Sequence, residues 1–223
     1  MKGYIAQKIA SIEREIPENA KLVAITKQVS TKAMREAYAA GIRNFGENRL
    51  QEAIAKQEEL QDLTDLEWHF IGHIQKNKAK KIIERFTWIH SIDSLSLAQR
   101  IDRLAGELNL VPKIFLQVKI LPDPSKYGWQ ADELLRDLEK LCQCERLNIQ
   151  GLMTILPWGL SSTEASSAFK AVVALSREVK EKSDSKMQMK ELSMGMSGDY
   201  QLAILAGATQ IRLGRTIFGE RNN

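Results

Sequence analysis

Eight short apolar runs, separated by stretches of helical period, set the tightest limit on how this chain can fold. They are KLVAITK (Lys21–Lys27), RNFGE (Arg43–Glu47), EWHFIG (Glu67–Gly72), WIHSID (Trp88–Asp93), KIFLQVKI (Lys113–Ile120), IQGLMTI (Ile149–Ile155), ELSMGM (Glu191–Met196) and QIRLGR (Gln210–Arg215). Helical patterns fill the gaps, as in TKAMREAYAAG, where Gly41 stops the helix. Ile5, Ile9, Ile12 and Ile16 add one helical face ahead of the first run. Eight strands alternating with helices read as an α/β protein, a (β/α)8 TIM barrel with an extra N-terminal helix. A doubly wound open sheet is the rival, but no glycine fingerprint follows the first strand. No repeat or low-complexity linker divides the chain, so residues 1–223 are expected to form one domain.

Charge narrows the function classes. Lys plus Arg number 32 against 28 Asp plus Glu, a net charge of +4. That balance suits a small anionic ligand and gives no nucleic-acid footprint, since no basic stripe is interleaved with aromatics. The densest basic run, KNKAKK at Lys76–Lys81, reads as a solvated helix face. Cys142 and Cys144 match neither zinc-site spacing nor a disulfide framework, so no metal is expected and a reducing cytoplasm is. Glu13 and Glu15 interrupt the N-terminal apolar face, no signal peptide is recognisable, and no stretch approaches a membrane span.

In a barrel of this kind the chemistry gathers at the C-terminal strand ends, and phosphate is often held by the loops after strands seven and eight. Those two ends carry the same pattern here. LSMGMSGDY places Ser197 and Gly198 after strand seven, and IRLGRT places Gly214 and Thr216 after strand eight. Glycine lets backbone approach an anion closely, and the N–H groups opening the next helix point at it. Either motif alone favours a helix cap or a packed corner; the pair shifts the reading toward one phosphate. Asp199 must then turn its carboxylate away.

Val23, Ile25 and Lys27 share a strand face, with Lys27 at the mouth. A lysine beside a phosphate cradle is what pyridoxal phosphate requires, because the amine condenses with the aldehyde. Arg212 shares a face with Gly214, while Ile211 and Leu213 share the other. If the apolar pair meets the helices, the guanidinium enters the barrel and needs a partner. The pyridine nitrogen of the cofactor is one, and an ion pair with Glu47 or Asp93 is the alternative.

LVAITK, FGENRLQE, WHFIGHIQKNK, SKYG, GLMTI and LSMGMSGDYQLAILAGATQIRLGRTIFG together resemble the pyridoxal phosphate homeostasis proteins of the YggS/PROSC type, over nearly the whole chain. The resemblance implies a fold-type III barrel similar to the N-terminal domain of alanine racemase. It implies pyridoxal 5'-phosphate (PLP) as an internal aldimine on Lys27 and phosphate on Ser197, Gly198, Gly214 and Thr216. Arg212 would stand at the ring nitrogen, with Asn48, Met153 and Ser193 also lining the pocket. It further implies a non-catalytic carrier serving vitamin B6 and amino-acid balance, with apo PLP-enzymes as potential cofactor acceptors; a lone barrel without a swapped domain is expected to be a monomer. Thr26 stands where the family commonly has serine, and Lys119 where it commonly has asparagine.

The runner-up is an amino-acid racemase of the same fold, which needs two bases. Lys27 could be one, with Tyr127 or Tyr200 as substitutes for the missing second. A sugar-phosphate enzyme on the same phosphate site would show no dependence on Lys27. His69 and His73 share a parity that could reach the mouth, whereas His90 is expected to pack toward a helix. Lys126, in the turn-rich DPSKYG, is expected at the mouth as either a solvated charge or a second amine for cofactor release.

Overall fold

The eight apolar runs become eight parallel strands that close on themselves in sequence order, β1 pairing with both β2 and β8. The structure, a computed structural model, describes residues 3–183 and 187–219. The strands are β1 (Lys21–Ile25), β2 (Asn44–Glu47), β3 (Glu67–Phe70), β4 (Trp88–Ile92), β5 (Lys113–Val118), β6 (Asn148–Thr154), β7 (Glu191–Ser193) and β8 (Gln210–Leu213). The expected (β/α)8 barrel is therefore the observed one. Between the strands lie α2 (Thr31–Ala39), α3 (Leu50–Glu59), α4 (Ala79–Arg85), α5 (Leu95–Leu108), α6 (Ala131–Leu141), α7 (Ser162–Lys182) and α8 (Tyr200–Ala206). The N-terminal helix α1 (Tyr4–Glu15) buries Ile5, Ile9 and Ile12, as their spacing requires. No helix among the described residues is long and apolar enough to cross a membrane.

Helix boundaries follow local chemistry. Ser161 and Glu164 form a reciprocal capping box that starts α7. Gly41, at φ 110°, ends the turn after α2 in a conformation that favours glycine. On α5, Leu97, Ala98, Ile101, Leu104 and Ala105 form one buried stripe against the strands. Outward-facing strand residues such as Ile89, Ile114, Ile211 and Leu213 complete that layer. Burying a large aliphatic side chain contributes about 1.5–3 kcal/mol, so this layer between barrel and helices is the main stabilising element.

The barrel interior is chemically divided. Trp88, Phe115 and Met153 form an apolar cluster. Beside it runs a buried polar chain. Arg212 Nη1 donates to Ser193 Oγ (2.6 Å), which lies 2.8 Å from His90 Nδ1. His90 Nε2 is 2.9 Å from His69 Nδ1, and His69 Nε2 is 3.0 Å from Asn44 Oδ1. Arginine can only donate and the Asn44 oxygen can only accept. A continuous chain between them has Ser193 donating to His90, His90 to His69 and His69 to Asn44, with both rings neutral. His90 thus corrects the sequence expectation: it points into the barrel, its ring tilted against Phe115 at 4.5 Å between centroids, rather than toward a helix. Trp88 and His90 take the inward parity, and Ile89 and Ile92 the outward one across a register shift in β4.

Burial, reinforced by the charges of Lys21 and Lys113, pushes His69 down to about 3. Burial also pushes His90 well below its ordinary value, helped by His69 and Arg212. Both rings are neutral when folded and take up protons on unfolding. The stability they confer is therefore complete above about pH 6.5 and drains away as pH falls toward their folded values. Urea unfolding between pH 6.5 and 5.0, above most carboxylate titrations, should show stability falling with a limiting slope of about 1.4 kcal/mol per pH unit for each histidine. His90→Gln should be less stable at pH 7 but have a shallower slope; an unchanged slope would contradict the assignment.

Candidate functional site

A cavity of about 700 Å³ opens at the C-terminal ends of the strands. Lys27, Asn48, Met153, Arg212, Ser197 and Gly198 all border it, as does Gly214. Seven of the nine residues expected to hold a cofactor are thereby brought together. Ser193 lies beneath the cavity, fully buried, where it joins Arg212 to His90. Thr216 does not border the cavity but sits in the first turn of a short helix, α9 (Arg215–Phe218), whose N-cap is Gly214. That helix was not apparent in the sequence, because four residues are too few to show a period.

Met153, Ser193 and Arg212 lie within β6, β7 and β8, whereas Lys27, Asn48, Ser197, Gly198, Gly214 and Thr216 lie beyond strand ends. β1 stops at Ile25, so Lys27 occupies the following turn rather than the strand end expected from KLVAITK. The reason is local: Gln28 has φ 60°, the left-handed region, and cannot continue a strand. Strand β7 likewise stops at Ser193, and Gly195 at φ 93° turns the chain toward Ser197 and α8. A side chain at Gly195 would also press on the Tyr200 backbone, so glycine is needed there twice over. Gly198 differs, since a Cβ there would meet nothing within 4 Å. Space for an additional group exists beside its backbone.

Arg212 faces inward as expected, 3% exposed, with Nη2 donating to the Thr154 carbonyl at 2.7 Å. Burial pulls its pKa down to about 10, opposed by the Asp199 charge. The alternative ion pairs are taken elsewhere. Glu47 binds Lys56, and Asp93 Oδ2 lies 3.0 Å from His73 Nδ1. Asp199 turns back so that its Oδ1 accepts from the Met196 N–H at 2.6 Å, bracing the turn that opens α8. Burial raises its carboxyl above the ordinary range, against the Met196 bond and the Arg212 charge. Asn48 Oδ1 is buried with no hydrogen-bond partner in the protein, an orphaned acceptor at the cavity wall. These features fit a ligand with an anionic group, an aldehyde and a polar ring substituent.

Sequence reasoning missed several residues. Arg215 and Trp158 also border the cavity, the latter 91% exposed on the loop before α7. Arg215 was visible as the residue between Gly214 and Thr216. Lys56, buried beside Glu47, carried a signal too: it lies three residues after Ala53 on the apolar face of α3. His73 reaches the surface and stacks on Tyr127, with ring centroids 3.7 Å apart. Lys126 lies in the β5–α6 loop but does not border the cavity. The described residues contain no His, Cys, Asp and Glu cluster suited to a metal ion.

Comparison with known proteins agrees with this geometry. The family profile described as "Alanine racemase, N-terminal domain" matches residues 3–222. A protein of Synechocystis sp. named pyridoxal phosphate homeostasis protein is 48% identical over 206 residues, covering 92% of this chain and 94% of that one. The solved structure of PipY from Synechococcus elongatus with PLP bound is 48% identical, with a TM-score of 0.93 over 96% of this chain and all of that one. Alanine racemase of Clostridium difficile, at 15% identity, shares the fold with a TM-score of 0.75 over 99% of this chain and 57% of that one. By profile match and sequence identity, the chain belongs to the pyridoxal phosphate homeostasis protein family, built on the alanine racemase N-terminal domain.

Proposed function

We propose that this protein binds PLP reversibly through Lys27 and serves the intracellular supply of that cofactor, without turning over a substrate of its own. The observation that carries the reading is the meeting of Lys27, Arg212, Ser197, Gly198 and Gly214 around one cavity. The PLP-bound PipY structure, at 48% identity, supports the choice of ligand. When bound, PLP supplies an aldehyde that condenses with an amine. The chain's residues do the rest. Lys27 Nζ offers the amine; Ser197, Gly198, Gly214 and Thr216 hold the phosphate; Arg212 donates toward the ring nitrogen. Asn48 Oδ1 accepts from a polar substituent, and Met153 packs against the ring.

An arginine at the ring nitrogen keeps that nitrogen largely unprotonated, which weakens the ring as an electron sink and disfavours carbanion chemistry. Neither tyrosine considered as the racemase's second base is placed for it. Tyr200 donates to Glu15 Oε2 at 2.6 Å, and burial with that bond raises it to about 12. Neither Tyr200 nor Tyr127 borders the cavity. Cytoplasmic residence, in keeping with two free thiols, a monomeric state, in keeping with a lone barrel, and apo PLP-enzymes as acceptors, from family resemblance, complete the proposal.

Borohydride treatment of PLP-loaded protein should place the reduced adduct on the peptide containing Lys27. Lys27→Ala should lose the adduct and the yellow colour while melting within a few degrees of wild type. A colourless wild type that stays colourless with added PLP would refute the reading.

Thr216→Val and Gly198→Val should each weaken PLP binding roughly ten-fold or more, the cost of one charge-assisted hydrogen bond or of a side chain filling the anion's space. Pyridoxal, lacking the phosphate, should bind wild type poorly and be much less affected by either change. Equal wild-type affinity for the two vitamers would place the phosphate elsewhere.

A further inference from the structure

Behind the turn that carries Lys27, three charged side chains that do not border the cavity meet in a buried cluster. Glu47 ends β2 with its side chain fully buried against α3. Lys56 rises from α3 with only 9% of its side chain exposed, and Glu52 lies one helical turn earlier. Lys56 Nζ donates to Glu47 Oε1 at 2.8 Å, to Glu52 Oε1 at 2.6 Å and to the Thr26 carbonyl at 2.6 Å. An ammonium has three protons, and these bonds use all of them.

The two carboxylates complete the grip. Thr26 Oγ1 donates to Glu47 Oε1 at 2.6 Å, and the Gln28 N–H donates to Glu52 Oε1 at 2.5 Å. The residues on both sides of Lys27 are therefore tied, one by carbonyl and hydroxyl, the other by its amide, to a single ion cluster. Gln28 is held in the left-handed region, which residues with a Cβ normally avoid. Glu52 claims its N–H in that conformation. A lysine with two carboxylates is an expensive way to fill space between a strand and a helix. Its bonds go to the backbone on either side of the reactive lysine.

We propose that Glu47, Lys56 and Glu52 are positioning residues that fix the Thr26–Gln28 backbone so that the Lys27 amine is presented to the cavity. The proposal rests on the reading of Lys27 given above. The step it serves is a condensation: Lys27 Nζ adds to the aldehyde carbon, the carbon–oxygen bond breaks, and water leaves as the carbon–nitrogen double bond forms. No oxidant or reductant takes part. Holding the turn in place removes from that step the cost of ordering it.

The test compares Glu52→Ala, Glu52→Gln and Lys56→Met with Leu104→Ala, a core deletion on α5 remote from the cluster. PLP uptake is followed by absorbance, and amide exchange of the Lys27–Gln28 segment is followed by mass spectrometry without cofactor. Glu52→Ala should slow uptake about ten-fold, the loss of one hydrogen bond to a charged group, and speed exchange of the Gln28 amide. Glu52→Gln keeps an acceptor for that amide and should stay within about three-fold of wild type. Lys56→Met should lose more than Glu52→Ala; if it does not fold, the Glu52 pair decides. Leu104→Ala should melt lower yet take up PLP as wild type does. Uptake and exchange unchanged in Glu52→Ala, or an equal slowing in Leu104→Ala, would overturn the positioning role. A wild-type borohydride adduct on another lysine would overturn the Lys27 reading and the positioning role with it. An adduct on Lys27 with uptake insensitive to Glu52 would overturn positioning alone.

Discussion

A guanidinium inside a β-barrel must be solvated by the protein, and most of what is particular about this interior follows from how Arg212 is accommodated. Its hydrogen bonds run to a hydroxyl and a carbonyl, Ser193 Oγ and Thr154 O, rather than to a carboxylate. An isolated buried charge would be prohibitively costly, so ordered dipoles in direct contact add to the attraction of the Asp199 charge. Ser193, His90, His69 and Asn44 extend those dipoles across the barrel, each presenting an acceptor toward the arginine. The histidines must stay neutral for the chain to keep its direction, and burial ensures it. The usual filling of barrels by branched aliphatic layers is thereby confined to part of the interior.

The remaining site chemistry lies where the strands give way to turns. Lys27, Ser197 and Gly214 each follow a strand by one to four residues, and each turn is held by a different device. The Lys27 turn is tied to the Lys56 cluster, the Ser197 turn to the Asp199 carboxylate, and the Gly214 turn to the start of α9. Turns braced in this way are less costly to order around a ligand than free loops. The barrel supplies the common mouth, and the side chains behind the turns supply the precision.

How much of this could be read from sequence depends on the kind of signal. Strand and helix order was legible because apolar periodicity is a direct consequence of burying one face. The inward turn of Arg212 was legible because Ile211 and Leu213 had only one apolar layer to join. The same parity argument put His90 on the wrong side. Parity separates two faces but does not say which is inner, and in β4 isoleucines on the outer face left the interior to Trp88 and His90. Strand ends were overrun by two residues in β1 and three in β7; Gly195 ends β7 locally, whereas the stop in β1 involves a side chain distant in sequence. Gln28 is stopped by Glu52, 24 residues away, a pairing no local pattern reveals.

Openness ties the geometry to the proposed role. A carrier has to release what it binds, and a carbon–nitrogen double bond opens only when water or a second amine reaches it. The loop from Pro157 to Leu160 walls one side of the cavity while Trp158 stands 91% exposed on it. Tyr127, on a neighbouring loop, is 55% exposed and leans on His73 instead of covering the mouth. An enzyme gains by excluding water and closing around its reactants; a carrier gains by holding the phosphate firmly and leaving the reactive carbon within reach. The proposed phosphate site at the two glycine turns, combined with an exposed Trp158 at the rim, suits the second task.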